Sequence, residues 1–217
     1  MTDEIKTKYK IAFVGDEGVG KTSIIMRMHG QDFQEDLSSS FGGSNYFKKF
    51  KFNHDNSTEI IEITSSDLAG NEKFREASIF KLAIQDASAI AIVFDPSNMF
   101  FSNDDLEKWV KLIKEIAPKA IIALVKNKSD STANKNFKED SIKELVNQYE
   151  AMYFITSAKK NEGIIELYEG LINKITGLNG NLELIKENEN EKTESINIEN
   201  ESKEKIIIKR KKRWCCC

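Results

Sequence analysis

Residues 15–22 read Gly-Asp-Glu-Gly-Val-Gly-Lys-Thr, and this short run restricts what everything around it can fold into. Three glycines let a loop turn its backbone N–H groups inward around an anion, while Lys21 is placed to reach terminal phosphates and the Thr22 hydroxyl to reach a bound Mg2+. Such a loop needs a strand before it and a helix after it, because the free N–H groups and positive dipole end of the helix receive the phosphate. Both are available: Ile11-Ala12-Phe13-Val14 is an apolar run, and Lys21 to Met28 can form the helix.

The remainder of the chain up to Thr176 alternates apolar and polar segments with two periods. Ala89 to Phe94 and Ala120 to Val125 are short continuous apolar runs, as expected of strands buried on both faces of a parallel sheet. Leu106, Trp109, Val110, Ile113 and Ile116 recur at three- and four-residue spacing and predict an amphipathic helix ending before Pro118. Further helices are expected up to Ala87, around 142–149 and over 164–175, the last closed by Gly177; Met152 to Thr156 reads as a strand. Asn45 to Asn53 and Thr58 to Thr64 read as a hairpin. Strands alternating with helices specify an α/β fold, here a mostly parallel six-stranded sheet with helices on both faces.

In sheets of this kind ligands sit at the carboxyl ends of the strands, and the polar motifs fall there. Asp67, in Asp67-Leu68-Ala69-Gly70, supplies a carboxylate that can act on Mg2+ through water, and Gly70 can bring its N–H against a γ-phosphate. Asn127-Lys128-Ser129-Asp130 supplies a carboxylate for the paired N1 and N2 donors of guanine, which adenine lacks. Thr156-Ser157-Ala158-Lys159 adds a backbone N–H for the guanine carbonyl oxygen.

Composition shifts at the end of the chain. Residues 1–177 are expected to form one domain and residues 178–217 a disordered tail, because 179–204 is mostly Asn, Glu and Lys and cannot bury enough surface to order itself. The net charge of −3 hides an acidic linker followed by a basic block, Lys205 and Lys209 to Arg213. Such a block suits nucleic acid, nuclear import or an anionic membrane. All three cysteines, Cys215, Cys216 and Cys217, come last, so none can form a core disulfide and a reducing compartment is expected. A zinc site fits three consecutive cysteines poorly. No apolar stretch reaches eighteen residues, and Met1 to Glu4 lacks a signal peptide's basic and apolar regions, so a cytosolic, non-spanning protein is expected.

Taken together these motifs resemble those of Ras-superfamily small GTPases with the P-loop NTPase fold, and most of all the Rab branch. Gly15-Asp16-x-Gly18-Val19-Gly20-Lys21-Thr22, Asp67-x-Ala69-Gly70, Asn127-Lys128-x-Asp130 and Thr156-Ser157-Ala158-Lys159-x-Asn161-Glu162-Gly163 carry the likeness. It implies GTP/GDP and Mg2+ as cofactors, and a switch acting in vesicle-mediated membrane traffic. By the same likeness the nucleotide is held by Gly15, Glu17, Gly18, Val19, Gly20, Lys21, Thr22, Ser23, Phe33, Ser40, Gly70, Asn127, Lys128, Asp130, Ser157, Ala158 and Lys159. Phe33 is expected to lie against the guanine. Thr22, Ser40 and Asp67 are the expected metal set, and Lys21, Gly70 and Asn71 the catalytic one. The terminal cysteines resemble geranylgeranylated double-cysteine ends, so the basic block reads as membrane-facing and not as a nucleic-acid site. Implied partners are an exchange factor, a GTPase-activating protein, effectors, the prenylation machinery and a GDI-type lipid chaperone. The implied location is the cytoplasmic face of an intracellular membrane, in exchange with the cytosol.

The chain also departs from the pattern. Asn71 stands where the family has a water-positioning Gln, and Glu17 brings a carboxylate to a loop position that is small or Gly in relatives; both predict slow hydrolysis. A second reading therefore stays open: a GTP-holding, non-cycling binding protein with little catalysis. Asn45 and Ser66 replace effector-surface aromatics, and the spacing from Phe74 to Asp95 is longer than usual. Tyr46, Phe47, Phe50 and Phe52 are candidates for a replacement patch, with at least half of them expected in the core. His29 and His54 are expected to have surface roles, and Trp109 to pack on its helix face.

Overall fold

A computed structural model describes residues 7–35, 43–55, 57–70, 78–135 and 137–185, together with the backbone of 196–197. The chain runs through β1 (Thr7–Val14), α1 (Lys21–Met28), the hairpin β2 (Gly43–His54) and β3 (Ser57–Leu68), then α2 (Ser78–Ile84) and β4 (Ala89–Phe94). It continues through α3 (Asn103–Ile116), β5 (Ile121–Lys126), α4 (Glu139–Tyr149), β6 (Met152–Ile155), α5 (Ile164–Thr176), β7 (Gly180–Leu184) and the two-residue β8 (Ile196–Asn197).

The strands form one sheet in the order β6-β5-β4-β1-β3-β2-β7, with β8 beside β2. Pairing is parallel from β6 to β3 and antiparallel where β2 and β7 join. Side chains of successive strand residues point to opposite faces, so each central strand feeds two cores. Ala12 and Val14 of β1 enter a cluster with Phe80, Trp109, Val110, Ile113 and Ile142 from α2, α3 and α4. Ile11 and Phe13 enter the other, with Ile24, Ile25, Leu167, Tyr168 and Leu171 from α1 and α5. The sheet is thus covered on both sides, which is why β1, β4 and β5 lack polar alternation.

Local chemistry sets the helix ends. Ser102 accepts the Asp104 N–H at 3.2 Å, and Asp104 and Asp105 lie in the positive first turn of α3. Gly177, at φ +70°, closes α5 in the left-handed conformation.

Two expectations need correction. The sheet has seven strands along its path, not six, because chain order does not stop at 177: β7, within the expected tail, pairs with β2 from Gly180 opposite His54 to Leu184 opposite Phe50. The physical reason is that β2, without it, would be an edge strand with a row of unpaired backbone groups. His29 is not a surface residue either. Both of its ring nitrogens are buried without a hydrogen-bond partner among the described residues, and the ring stands edge-on to Tyr46, 5.8 Å between centroids. Of the four aromatics proposed as a patch, Phe50 and Phe52 are fully in the core, while Tyr46 and Phe47 are half-buried. Among the described residues no helix is long and apolar enough to cross a membrane.

Candidate functional site

Strand register brings the motifs together before any side chain is considered. Parallel pairing sets Phe13 opposite Asp67, and Val14 opposite Ile92, so the loop that leaves β1 emerges between the ends of β3 and β4. Gly15 then passes so close to β4 that a Cβ would stand 2.0 Å from the Val93 carbonyl oxygen, at a φ of +133° that only glycine adopts readily. A Cβ on Gly70 would lie 2.4 Å from the carbonyl carbon of Asp16 and 2.5 Å from the Glu17 nitrogen. Gly70 therefore brings its backbone directly against the loop over residues 15–17.

Lys21 opens α1 and turns its side chain back into the loop. Its Nζ donates to the carbonyl oxygens of Gly15 at 3.0 Å and Asp16 at 2.8 Å. Burial pushes its pKa down, against the opposing pull of Asp67, Asp16 and Glu17. The next residue, Thr22, donates its hydroxyl to Oδ2 of Asp67 at 2.6 Å, and Asp67 is fully buried. A hydroxyl and a sealed carboxylate side by side are the hard oxygen donors that Mg2+ takes. Glu17 and Gly18 lie exposed at the loop tip; Val19 is buried and Ser23 half-buried.

Asn127 ties this phosphate end to the base end. Its Nδ2 donates to the Val19 carbonyl at 2.8 Å, and its Oδ1 accepts from Thr156 Oγ1 at 3.0 Å and the Ala158 N–H at 3.3 Å. The approach is tight enough that a Cβ on Gly20 would sit 2.3 Å from Asn127 Nδ2. Asp130 receives the Ser157 hydroxyl at 2.5 Å, and that hydrogen bond, before all other causes, holds its carboxyl below the ordinary range and therefore ionised. Ser157 Oγ also accepts the Lys160 N–H at 3.0 Å, which fixes the turn. Lys128 stands at φ +58° and pairs with the buried Asp95 at 2.7 Å.

Phe33 is half-buried and packs against the core of α1 and α5. Two residues on, Glu35 pairs with Lys159 at 2.9 Å, joining the loop after α1 to the base-end loop. Of the site residues expected from sequence, the described ones gather at one end of the sheet. Ser40, Asn71 and Cys215 to Cys217 lie outside the described residues.

Several participants went unread in the sequence. Arg27, in the last turn of α1, donates to the Ala158 carbonyl at 2.8 Å and to the Lys159 carbonyl at 3.2 Å, bracing the base-end loop from below. Trp109 does more than pack on its helix: its indole N–H reaches Asp16 Oδ1 at 3.2 Å, linking α3 to the phosphate loop. Asp95 was readable only as the acid that ends a buried strand. For Arg27 and Trp109 a cation in a last helical turn and a lone indole on an apolar face were the only signals, and neither names a partner.

A Ras-family model matches residues 10–177. Ras-related protein Rab-31 of Homo sapiens is 32% identical over 184 residues, spanning 82% of this chain and 90% of that protein. Ras-related protein RabC of Dictyostelium discoideum is 28% identical over 176 residues, covering 81% and 86%. GTP-binding protein YPT53 of Saccharomyces cerevisiae is 28% identical over 175 residues, covering 76% of each. A match that runs from β1 to the end of α5, with Rab-named relatives over most of their own lengths, leaves one conclusion: the chain belongs to the Ras family of small GTPases, as a divergent member of its Rab branch.

Proposed function

We propose that this small GTPase is a Mg2+-dependent GTP/GDP switch acting in vesicle-mediated membrane traffic. The observation that carries the nucleotide reading is Asn127, which bonds the phosphate loop and the base-end loop at once, beside Asp130, whose carboxyl the Ser157 hydroxyl keeps ionised. In this reading Asp130 accepts from guanine, with Lys128, Ser157, Ala158 and Lys159 shaping the base site and Phe33 flanking it. Gly15 to Gly20 present N–H groups to the phosphates, with Lys21 neutralising their charge and Ser23 following on the helix. Thr22 and Asp67, the latter through water, hold Mg2+ together with Ser40, and the metal neutralises β- and γ-phosphate charge when bound. Gly70 and Asn71 orient the attacking water.

Slow hydrolysis belongs to the same proposal, because Asn71 is one methylene short for placing water and Glu17 adds a carboxylate near the phosphates. The exposed Glu17 also favours a second reading, a protein that holds GTP without useful turnover. Single-turnover hydrolysis of preloaded GTP, with and without cell extract, separates the two: acceleration by extract supports a cycling switch, and none at any dose leaves the holder. Failure to prefer guanine over adenine nucleotides would remove both.

The tail reading is likewise ours. The chain beyond β7 acts as a variable tail, in which prenylated cysteines among Cys215 to Cys217 and the basic block seat the protein on the cytoplasmic face of an intracellular membrane. Exchange factor, GTPase-activating protein, effectors, prenylation machinery and a GDI-type chaperone are the partners this implies. Loss of membrane recovery on replacing all three cysteines by Ser is the expected result, and unchanged distribution would refute it.

A further inference from the structure

β7 lies beyond the last residue matched by the family model, 177, in a stretch of mainly polar composition, yet it is fitted to its place by residues of β2 and α5. Gly180 is the only residue type that passes there: a Cβ would stand 2.5 Å from the Asn53 carbonyl oxygen and 2.5 Å from Cε2 of the buried Phe52. Asn173 of α5 grips that residue from both sides, its Nδ2 donating to the Gly180 carbonyl and its Oδ1 accepting the Gly180 N–H, each at 3.0 Å. Glu169, one turn earlier on α5, accepts the Leu182 N–H at 2.7 Å. Leu182 buries its side chain in the core cluster that holds Phe50 and Phe52.

Gly180 and Leu182 are two residues apart and so turn the same way. The backbone groups that α5 satisfies through Asn173 and Glu169 are thus of one set, and strand pairing to β2 is left to the rest. The short strand, carrying Glu183, covers five of the twelve residues of β2, Phe50 to His54, and presents a brief and charged edge there.

We propose that β7 is a resident cover for the outer edge of β2 over Phe50 to His54, and that a protein presenting an extended strand gains this stretch only by displacing residues 180–184. Exposed edges accept added strands through main-chain hydrogen bonds, with side-chain pockets giving selectivity. Here the chain's own segment already makes those bonds over Phe50 to His54. β7 runs antiparallel to β2, toward the Gly43 end, which pairs with Leu68 next to Asp67. The cover therefore runs toward the nucleotide end of the sheet, where β8 pairs with Ser44 and Asn45.

The test uses the full chain, as wild type, Gly180→Val and Asn173→Ala, with two readouts. One is amide hydrogen exchange in β2 over residues 50–54, with β1 and β4 as internal references; the other is binding of a labelled synthetic peptide of sequence 178–185. Expected for Gly180→Val is exchange about tenfold faster at 50–54 with β1 and β4 unchanged, and peptide binding at least about tenfold tighter than to wild type. Asn173→Ala, which removes only the grip, is expected to move both in the same direction by about threefold. If β1 protection also collapses in Gly180→Val, Asn173→Ala decides alone. Unchanged protection at 50–54, equal peptide binding by wild type and variant, or no binding by either variant would each overturn the proposal.

Discussion

Replacing Asn127 by Ala tests whether one buried amide holds the nucleotide site together. The substitution removes bonds of 2.8 Å to the Val19 carbonyl, 3.0 Å from the Thr156 hydroxyl and 3.3 Å from the Ala158 N–H, all sealed from solvent. The longest contributes little. The other two leave a buried acceptor and a buried hydroxyl, each costing about 1–3 kcal/mol when unsatisfied. Water entering the vacated space and rotation of the Thr156 hydroxyl place both near the lower half of that range, for a total of about 3 kcal/mol. Because these groups set the relative position of the two loops, the loss falls on nucleotide affinity, about 10²-fold at ~1.4 kcal/mol per decade. Association and dissociation rates of a fluorescent GDP analogue measure it directly. Thr156→Val supplies the second arm of a double-mutant cycle. Adding it to Asn127→Ala should cost about 1 kcal/mol less than in wild type, since its partner is already gone. A weakening under about threefold with an unchanged melting temperature, or strictly additive losses, would refute the reasoning.

Three further outcomes are expected. Trp109→Phe stays aromatic but deletes the N–H to Asp16 and, being smaller, also loosens the core around it; with Asp16 exposed, the share of the lost hydrogen bond is about 1 kcal/mol, read as roughly fivefold faster release of the GDP analogue, while the packing loss is read in the melting temperature. His29 has its pKa lowered to about 4, first by burial and then by Lys48. The folded state therefore disfavours the protonated ring: the stability this represents is complete above the unfolded value near 6.5 and is lost as pH falls toward about 4. Between about pH 7.5 and 5 the domain should lose about 2 kcal/mol through this residue, a slope that His29→Phe flattens in denaturant titrations and that persists if the assignment is wrong. Asn71→Gln is expected to raise single-turnover hydrolysis by about 10-fold or more, since displacement on the order of 1 Å can cost about 10²-fold; no increase would show that water placement does not limit this chain.

Much of the fold is legible because it is local or periodic. The apolar runs of β4 and β5 announce burial on both faces, and Leu106, Trp109, Val110 and Ile113 announce one helical stripe. The motifs at 15–22, 67–70, 127–130 and 156–159 are short, and the alternation of strands and helices is enough to send them to one end of the sheet. What stayed unread depends on which elements become neighbours. Arg27 meets a carbonyl 131 residues away and Trp109 a carboxylate 93 residues away, and no local pattern encodes either. β7 is harder still, because Gly180-Asn181-Leu182-Glu183-Leu184 has one buried side chain, and its reasons for order reside in Asn173, Glu169 and Phe52. His29 shows the converse failure: a titratable residue at a helix end suggests solvent, yet here the packing of Tyr46 encloses it.

The hairpin holds Asn45 and Ser66, the two residues that the family resemblance marks as replacing effector-surface aromatics. Antiparallel register sets Asn45 directly opposite Ser66, and the Ser66 hydroxyl donates to Asn45 Oδ1 at 2.6 Å with both side chains buried. A buried pair of this kind holds because each polar group satisfies the other; changing one alone strands its partner. Ser66 is 0% exposed, so an aromatic introduced there meets filled space and forces neighbours off their rotamers. The aromatic surface expected of relatives therefore cannot be restored by one substitution at Ser66. With Asn45 and Ser66 closed against each other, and with Phe50 and Phe52 committed to the core, Tyr46 and Phe47 are the hairpin aromatics with surface still to offer. A partner that reads this hairpin must take its aromatic contact from those two residues, on a strand whose outer edge is already paired beyond them by β7.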